Sequence, residues 1–63
     1  MPMVQISMVE GRDAEHKRRL VSSVTAAVVD TLAVAPQQVR VLLYELPPGN
    51  WAVGGTTKGD RQT

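Results

Sequence analysis

The sequence predicts an α/β fold of the β-α-β kind: a two-stranded parallel sheet, one helix across it, a short C-terminal hairpin, and a sheet completed by oligomerisation. Three observations predict it. Met3 to Val9 and Val39 to Leu46 each alternate side chains with a period of two, as strands do. Between them, apolar residues recur at three- and four-residue steps, as on one face of a helix. Finally, 63 residues without a cysteine make a chain too short to be comfortable alone. Such a chain buries only about 60% of its unfolded surface. With neither disulfide nor zinc cluster, the remaining burial is expected from other copies of itself.

In the first strand Val4, Ile6 and Met8 fall on one face, and Met3, Gln5, Ser7 and Val9 on the other. Glu10-Gly11-Arg12 ends it, Gly11 permitting a tight turn. Asp13 is the expected N-cap of a helix from about Ala14 to Leu32, with Glu15 in its first turn. Leu20, Val24, Ala27, Val28, Thr31 and Leu32 make its apolar stripe, and Val21 widens it. Lys17, Arg18 and Arg19 read as a solvated helix face, since the run is short and has no interleaved aromatics. His16, the only histidine, reads as a surface residue, because a metal site needs further ligands. Pro36 prevents the helix from continuing.

Strand, helix and strand in that order require a parallel pair joined by a right-handed crossover. Pro47-Pro48-Gly49-Asn50 is a turn cluster. Trp51-Ala52-Val53, closed by Gly54-Gly55, suits a hairpin. Residues 56–63 are polar and read as a loose tail unless a neighbouring subunit holds them. Residues 1–63 thus form a single domain without repeats or linkers.

The net charge of +1 argues against nucleic acid as a partner. No apolar run is long enough to span a membrane, and the start has no basic segment of the kind that opens a signal peptide. A soluble, cytoplasmic protein is expected.

The candidate constellation is Pro2, Arg12, Arg40 and Trp51. Proline is small enough at position two to permit removal of Met1. Pro2 would then carry a free secondary amine, able to act as a general base if its surroundings lower its pKa toward the operating pH. An apolar pocket with nearby arginines would do this on two counts, desolvation and like charge. Arginine matches a carboxylate with a two-pronged donor set. Two arginines suit a dianionic acid, or one carboxylate plus a polarised carbonyl. Arg12 and Arg40 lie at opposite ends of a parallel pair, so two subunits are needed to bring both to one pocket. Trp51 could wall that pocket and exclude water. Ordinary readings stand beside these. Pro2 could merely open an edge strand, either arginine could be a surface residue, and Trp51 could be interface core.

Pro2 after the initiator, the Val9-Glu10-Gly11-Arg12 turn, the Val39-Arg40-Val41 strand and the Trp51-Ala52-Val53-Gly54-Gly55 segment together resemble 4-oxalocrotonate tautomerase and its short-chain relatives. The resemblance runs without gaps to about Lys58. It implies a homohexamer, a trimer of dimers, acting on a small-molecule carboxylate without metal or organic cofactor. Pro2 would shuttle a proton between carbons of a 2-hydroxydienoate and its conjugated 2-oxo isomer, of the 2-hydroxymuconate type. Arg12 would bind the distal carboxylate. Arg40, from a neighbouring subunit, would hold the C1 carboxylate and stabilise charge on the carbonyl oxygen. Trp51 stands where the family more often has phenylalanine. Val53 and Val9 replace the acidic residue and the extra arginine of related dehalogenases and hydratases, which favours the tautomerase. The family serves aromatic catabolism and antibiotic synthesis. Promiscuous enol–keto tautomerisation of monoacids such as phenylenolpyruvate, and a non-catalytic assembly subunit, are the alternatives.

Overall fold

The computed structural model describes residues 1–60. Strand β1 (Met3–Val9) and strand β2 (Arg40–Leu46) form a parallel pair, and helix α1 (Ala14–Leu32) connects them. The register runs from Met3 opposite Arg40 to Val9 opposite Leu46. Residues paired in a parallel ladder share a face. Val4, Ile6 and Met8 therefore join Val41, Leu43 and Glu45 on the face that meets α1. Met3, Gln5, Ser7 and Val9 join Arg40, Leu42, Tyr44 and Leu46 on the other.

The ends of α1 follow from local chemistry. Asp13 has extended backbone, and its carboxylate accepts the N–H of His16 at 2.9 Å. This satisfies one of the donors that a helix start leaves orphaned. At the other end Ala33 turns left-handed, with φ 55°, and its N–H returns to the Val29 carbonyl at 3.0 Å. Glycine is the usual residue for that geometry, and alanine adopts it at a cost.

The stripe predicted on α1 is only partly covered. Leu20, Val21, Val24 and Val28 are half-buried, and so are Thr25 and Val29, while Ala27, Thr31 and Leu32 are exposed. Nineteen helical residues span roughly 28 Å, whereas seven extended ones span roughly 23 Å. The last turn overhangs the strands, which leaves Leu32 56% exposed. Lys17 also departs from expectation. It is not on a solvated face but half-buried, with its Nζ 2.9 Å from Oε1 of Glu45 on the sheet. Arg18 and Arg19 are exposed, as expected.

A 3-10 turn (Pro36–Gln38) leads into β2. It takes the N–H of Val39 to the Pro36 carbonyl, so the ladder begins one residue later than the alternation predicts. Val39 is the sole buried apolar residue among those described. After β2, a second 3-10 turn (Pro48–Asn50) leads to a hairpin of β3 (Ala52–Val53) and β4 (Thr56–Thr57). Gly54 and Gly55 both have positive φ, 63° and 86°, as a tight two-residue hairpin turn requires.

This corrects the expectation of a loose tail from Thr56. Backbone pairing holds Thr56 and Thr57, the Lys58 N–H reaches the Trp51 carbonyl at 2.7 Å, and a third 3-10 turn (Lys58–Asp60) follows. Ladder hydrogen bonds do not need apolar side chains, so a polar pair can form a strand. Residues 61–63 of the expected tail lie outside the described residues.

The chain is open for its size. Its radius of gyration is 14.8 Å, against about 11 Å for a compact chain of this length. Its accessible surface is 4830 Å², against about 4,000 Å² for a folded monomer of this mass. The sheet face away from α1 contributes to this open surface. Met3 there is 60% exposed and Tyr44 44%.

Candidate active site

Pro2 immediately precedes β1 and is half-buried. Its lack of an N–H costs the ladder nothing at this position, while its carbonyl accepts the N–H of Arg40 at 3.0 Å. The start of the chain is thereby joined to the start of β2. The Arg40 side chain lies on the uncovered face, exposed, and its Nη1 donates to the Gln37 carbonyl at 2.8 Å.

Arg12 sits at the other end of the sheet. The ladder closes there with the Glu10 N–H on the Leu46 carbonyl, and Gly11, with φ 130°, turns the chain toward α1. No atom lies within 4 Å of the position a Cβ would take on Gly11, so backbone conformation and not space favours glycine. Trp51 follows the same end of β2 and is half-buried at the base of the hairpin. Pro2 and Arg40 are thus neighbours in main chain. A strand length of roughly 23 Å separates them from Arg12, and no single chain brings Pro2 and Arg12 together.

Arg12 borders a hollow of about 360 Å³, with Met8 and Leu20 as apolar lining and His16 and Lys17 beside it. Sequence reasoning left both of these residues out of the site. The available signal was spacing: Arg12 and His16 are four apart across a helix start. Oδ1 of Asp13 takes both the His16 N–H and the His16 ring, Nδ1 lying 2.7 Å away. The His16 amide and ring hold the Asp13 carboxyl below its ordinary value of 3.8, and the charge of Lys17 adds to the effect. Among the described residues no three His, Cys, Asp or Glu side chains gather as a metal site would require.

The β-α-β unit with its C-terminal hairpin is the fold of a small isomerase of the 4-oxalocrotonate tautomerase type. The family model described as "Tautomerase enzyme" matches residues 2–61, and the chain belongs to that family. It is 37% identical over 57 residues to a 2-hydroxymuconate tautomerase of Comamonas testosteroni, covering 90% of each chain. Among solved structures it is similar to a 4-oxalocrotonate tautomerase isozyme of Methylibium petroleiphilum, with a TM-score of 0.90 and 45% identity over 92% of this chain and 91% of the other. A heterohexamer 4-oxalocrotonate tautomerase of Chloroflexus aurantiacus superposes with a TM-score of 0.93 at 34% identity, covering 98% of this chain and 100% of its own. The activity is that of a tautomerase, an isomerase.

Proposed function

We propose that the chain, once Met1 is removed, isomerises a 2-hydroxydienoate to its conjugated 2-oxo acid with Pro2 as general base, in a pocket built between copies of the chain. The observation that carries this reading is the parallel register, with Pro2 at one end of the sheet and Arg12 at the other. Antiparallel pairing of two copies along their β1 edges would bring the Pro2 of one beside the Arg12 of the next. It would also widen the sheet to four strands. The exposed face carrying Met3, Leu42 and Tyr44 offers the surface for further copies, and a hexamer is the expected assembly.

In that pocket Arg12 binds the distal carboxylate of the substrate. Arg40, from a neighbouring copy, holds the C1 carboxylate and the carbonyl oxygen on which charge grows. Trp51 keeps water out, which leaves the amine of Pro2 unprotonated and free to take a proton from one carbon and return it to another. The likeness to a 2-hydroxymuconate tautomerase supports a diacid of that kind as substrate, without metal or organic cofactor.

The test is isomerisation of 2-hydroxymuconate by protein whose mass fixes Pro2 as first residue, with Pro2→Ala as comparison and sedimentation equilibrium on the same sample. Turnover by a hexamer, abolished in the variant, is the expected result. Turnover of phenylenolpyruvate alone would favour the monoacid tautomerase. No turnover of either, by a well-formed oligomer, would leave an assembly subunit.

A further inference from the structure

We propose that His16, oriented by Asp13, is a specificity-determining residue of the Arg12 hollow, favouring ligands that present a carboxylate there. The proposal rests on the reading above only for the kind of ligand that enters. The hollow and its lining are features of the single chain.

Three basic side chains border this hollow, and they are not equivalent. Lys17 is engaged by Glu45 across the helix–sheet interface. Arg12 lines the hollow and has no side-chain partner among the described residues. His16 is anchored on one side only. With Nδ1 held 2.7 Å from Asp13 Oδ1, its ring donates there and leaves Nε2 for a ligand.

A neutral Nε2 presents a lone pair, which repels a carboxylate oxygen. A protonated Nε2 presents an N–H, which binds one. Imidazole is the side chain that makes this change between about pH 5 and pH 8. The groups facing it divide. Arg12 and Lys17 are the cations that line the hollow with it and Asp13 is the anion that holds its ring, while Glu45 on the sheet is engaged by Lys17. A ligand with an apolar end at Arg12 gains nothing from either Arg12 or His16.

The Asp13–His16 pair is about two-thirds exposed, with side chains 67% and 65% accessible. Such exposed pairs contribute little to stability, so substitutions here test recognition and not folding.

The experiment is calorimetric titration of the full chain with hexa-2,4-dienedioate, which carries two carboxylates, and hexa-2,4-dienoate, which carries one. It runs between about pH 8 and pH 5.5, where carboxylates with pKa near 4 remain largely ionised. The ratio of the two affinities is expected to rise about fivefold toward the acid side, the scale of one added charge near a carboxylate. In His16→Gln the ratio should stay flat. In Asp13→Ser, which keeps a capping hydroxyl but releases the ring, the rise should shrink.

A flat ratio in the unaltered chain, an undiminished rise in His16→Gln, or an undiminished rise in Asp13→Ser would overturn the proposal. A rise that depends on His16, in protein that isomerises neither 2-hydroxymuconate nor phenylenolpyruvate, would uphold this assignment and remove the tautomerase mechanism. Isomerisation of 2-hydroxymuconate with a flat ratio would do the reverse.

Discussion

The N–H of Arg40 donates to the carbonyl of Pro2 over 3.0 Å, the first rung beyond the formal start of β1. A residue that would otherwise fray is thereby held to the second strand. Its position is set from the carbonyl side.

Under the proposed function the nitrogen of Pro2 works only as an amine. While Met1 is attached it is an amide, with its lone pair delocalised into the carbonyl and unavailable as a base near neutral pH. Protein retaining Met1 is expected to be inactive, and protein beginning at Pro2 active. Intact mass spectrometry paired with a tautomerase assay, on samples with and without blocked Met1 removal, checks this. Full activity with Met1 in place would eliminate Pro2 as the base.

The two arginines should fail differently. Under the proposed function Arg12→Ala removes a charge-assisted bond to a carboxylate that changes little during the reaction, so KM should rise about 10- to 100-fold with kcat nearly kept. Under the same reading Arg40→Ala removes charge from an oxygen that becomes more negative in the transition state, so kcat should fall about 10²-fold. Steady-state kinetics with the pattern reversed would exchange their roles.

If Trp51 walls the pocket as proposed, Trp51→Ala admits water beside the Pro2 amine. Water stabilises the protonated form, so the amine's pKa should rise and the acidic limb of the pH–rate profile should move to higher pH. Activity at neutral pH should fall with it. An unmoved acidic limb would mean that Trp51 does not set the dielectric around the base.

The left-handed alanine that ends α1 offers a stabilising change. Ala33→Gly relieves a strain of about 1–2 kcal/mol, and the freer unfolded chain takes part of that back, leaving a gain of about 0.5–1 kcal/mol. Thermal melts at fixed protein concentration should show Tm higher by about 2–6 °C. A lower Tm would mean that Ala33 does not hold φ near 55° in solution.

The three large elements were legible in the sequence because each carries a periodic pattern that one chain satisfies alone. Val4, Ile6 and Met8 announce a face, Asp13 a helix start, and strand–helix–strand order a parallel pair. The features that escaped depend on lengths or on backbone. The exposure of Thr31 and Leu32 comes from a helix longer than its strands. Thr56 and Thr57 form a strand through main-chain bonds that polarity does not forecast. Lys17 looked solvated because its partner, Glu45, is 28 residues away. The separation of Arg12 from Arg40 was readable from parallel topology. What each does was not, because under the proposed function the pocket has no address within a single chain.

The parallel register also has a genetic meaning. If every pocket draws Pro2 from one copy and Arg12 from another, a chain damaged at one end still carries an intact opposite end. Chains bearing Pro2→Ala, inactive alone, and chains bearing Arg12→Ala, weakened in substrate binding, would form mixed assemblies in which some pockets receive both sound halves. Two defective alleles in one cell could then restore activity together. Two alleles damaged at the same end could not.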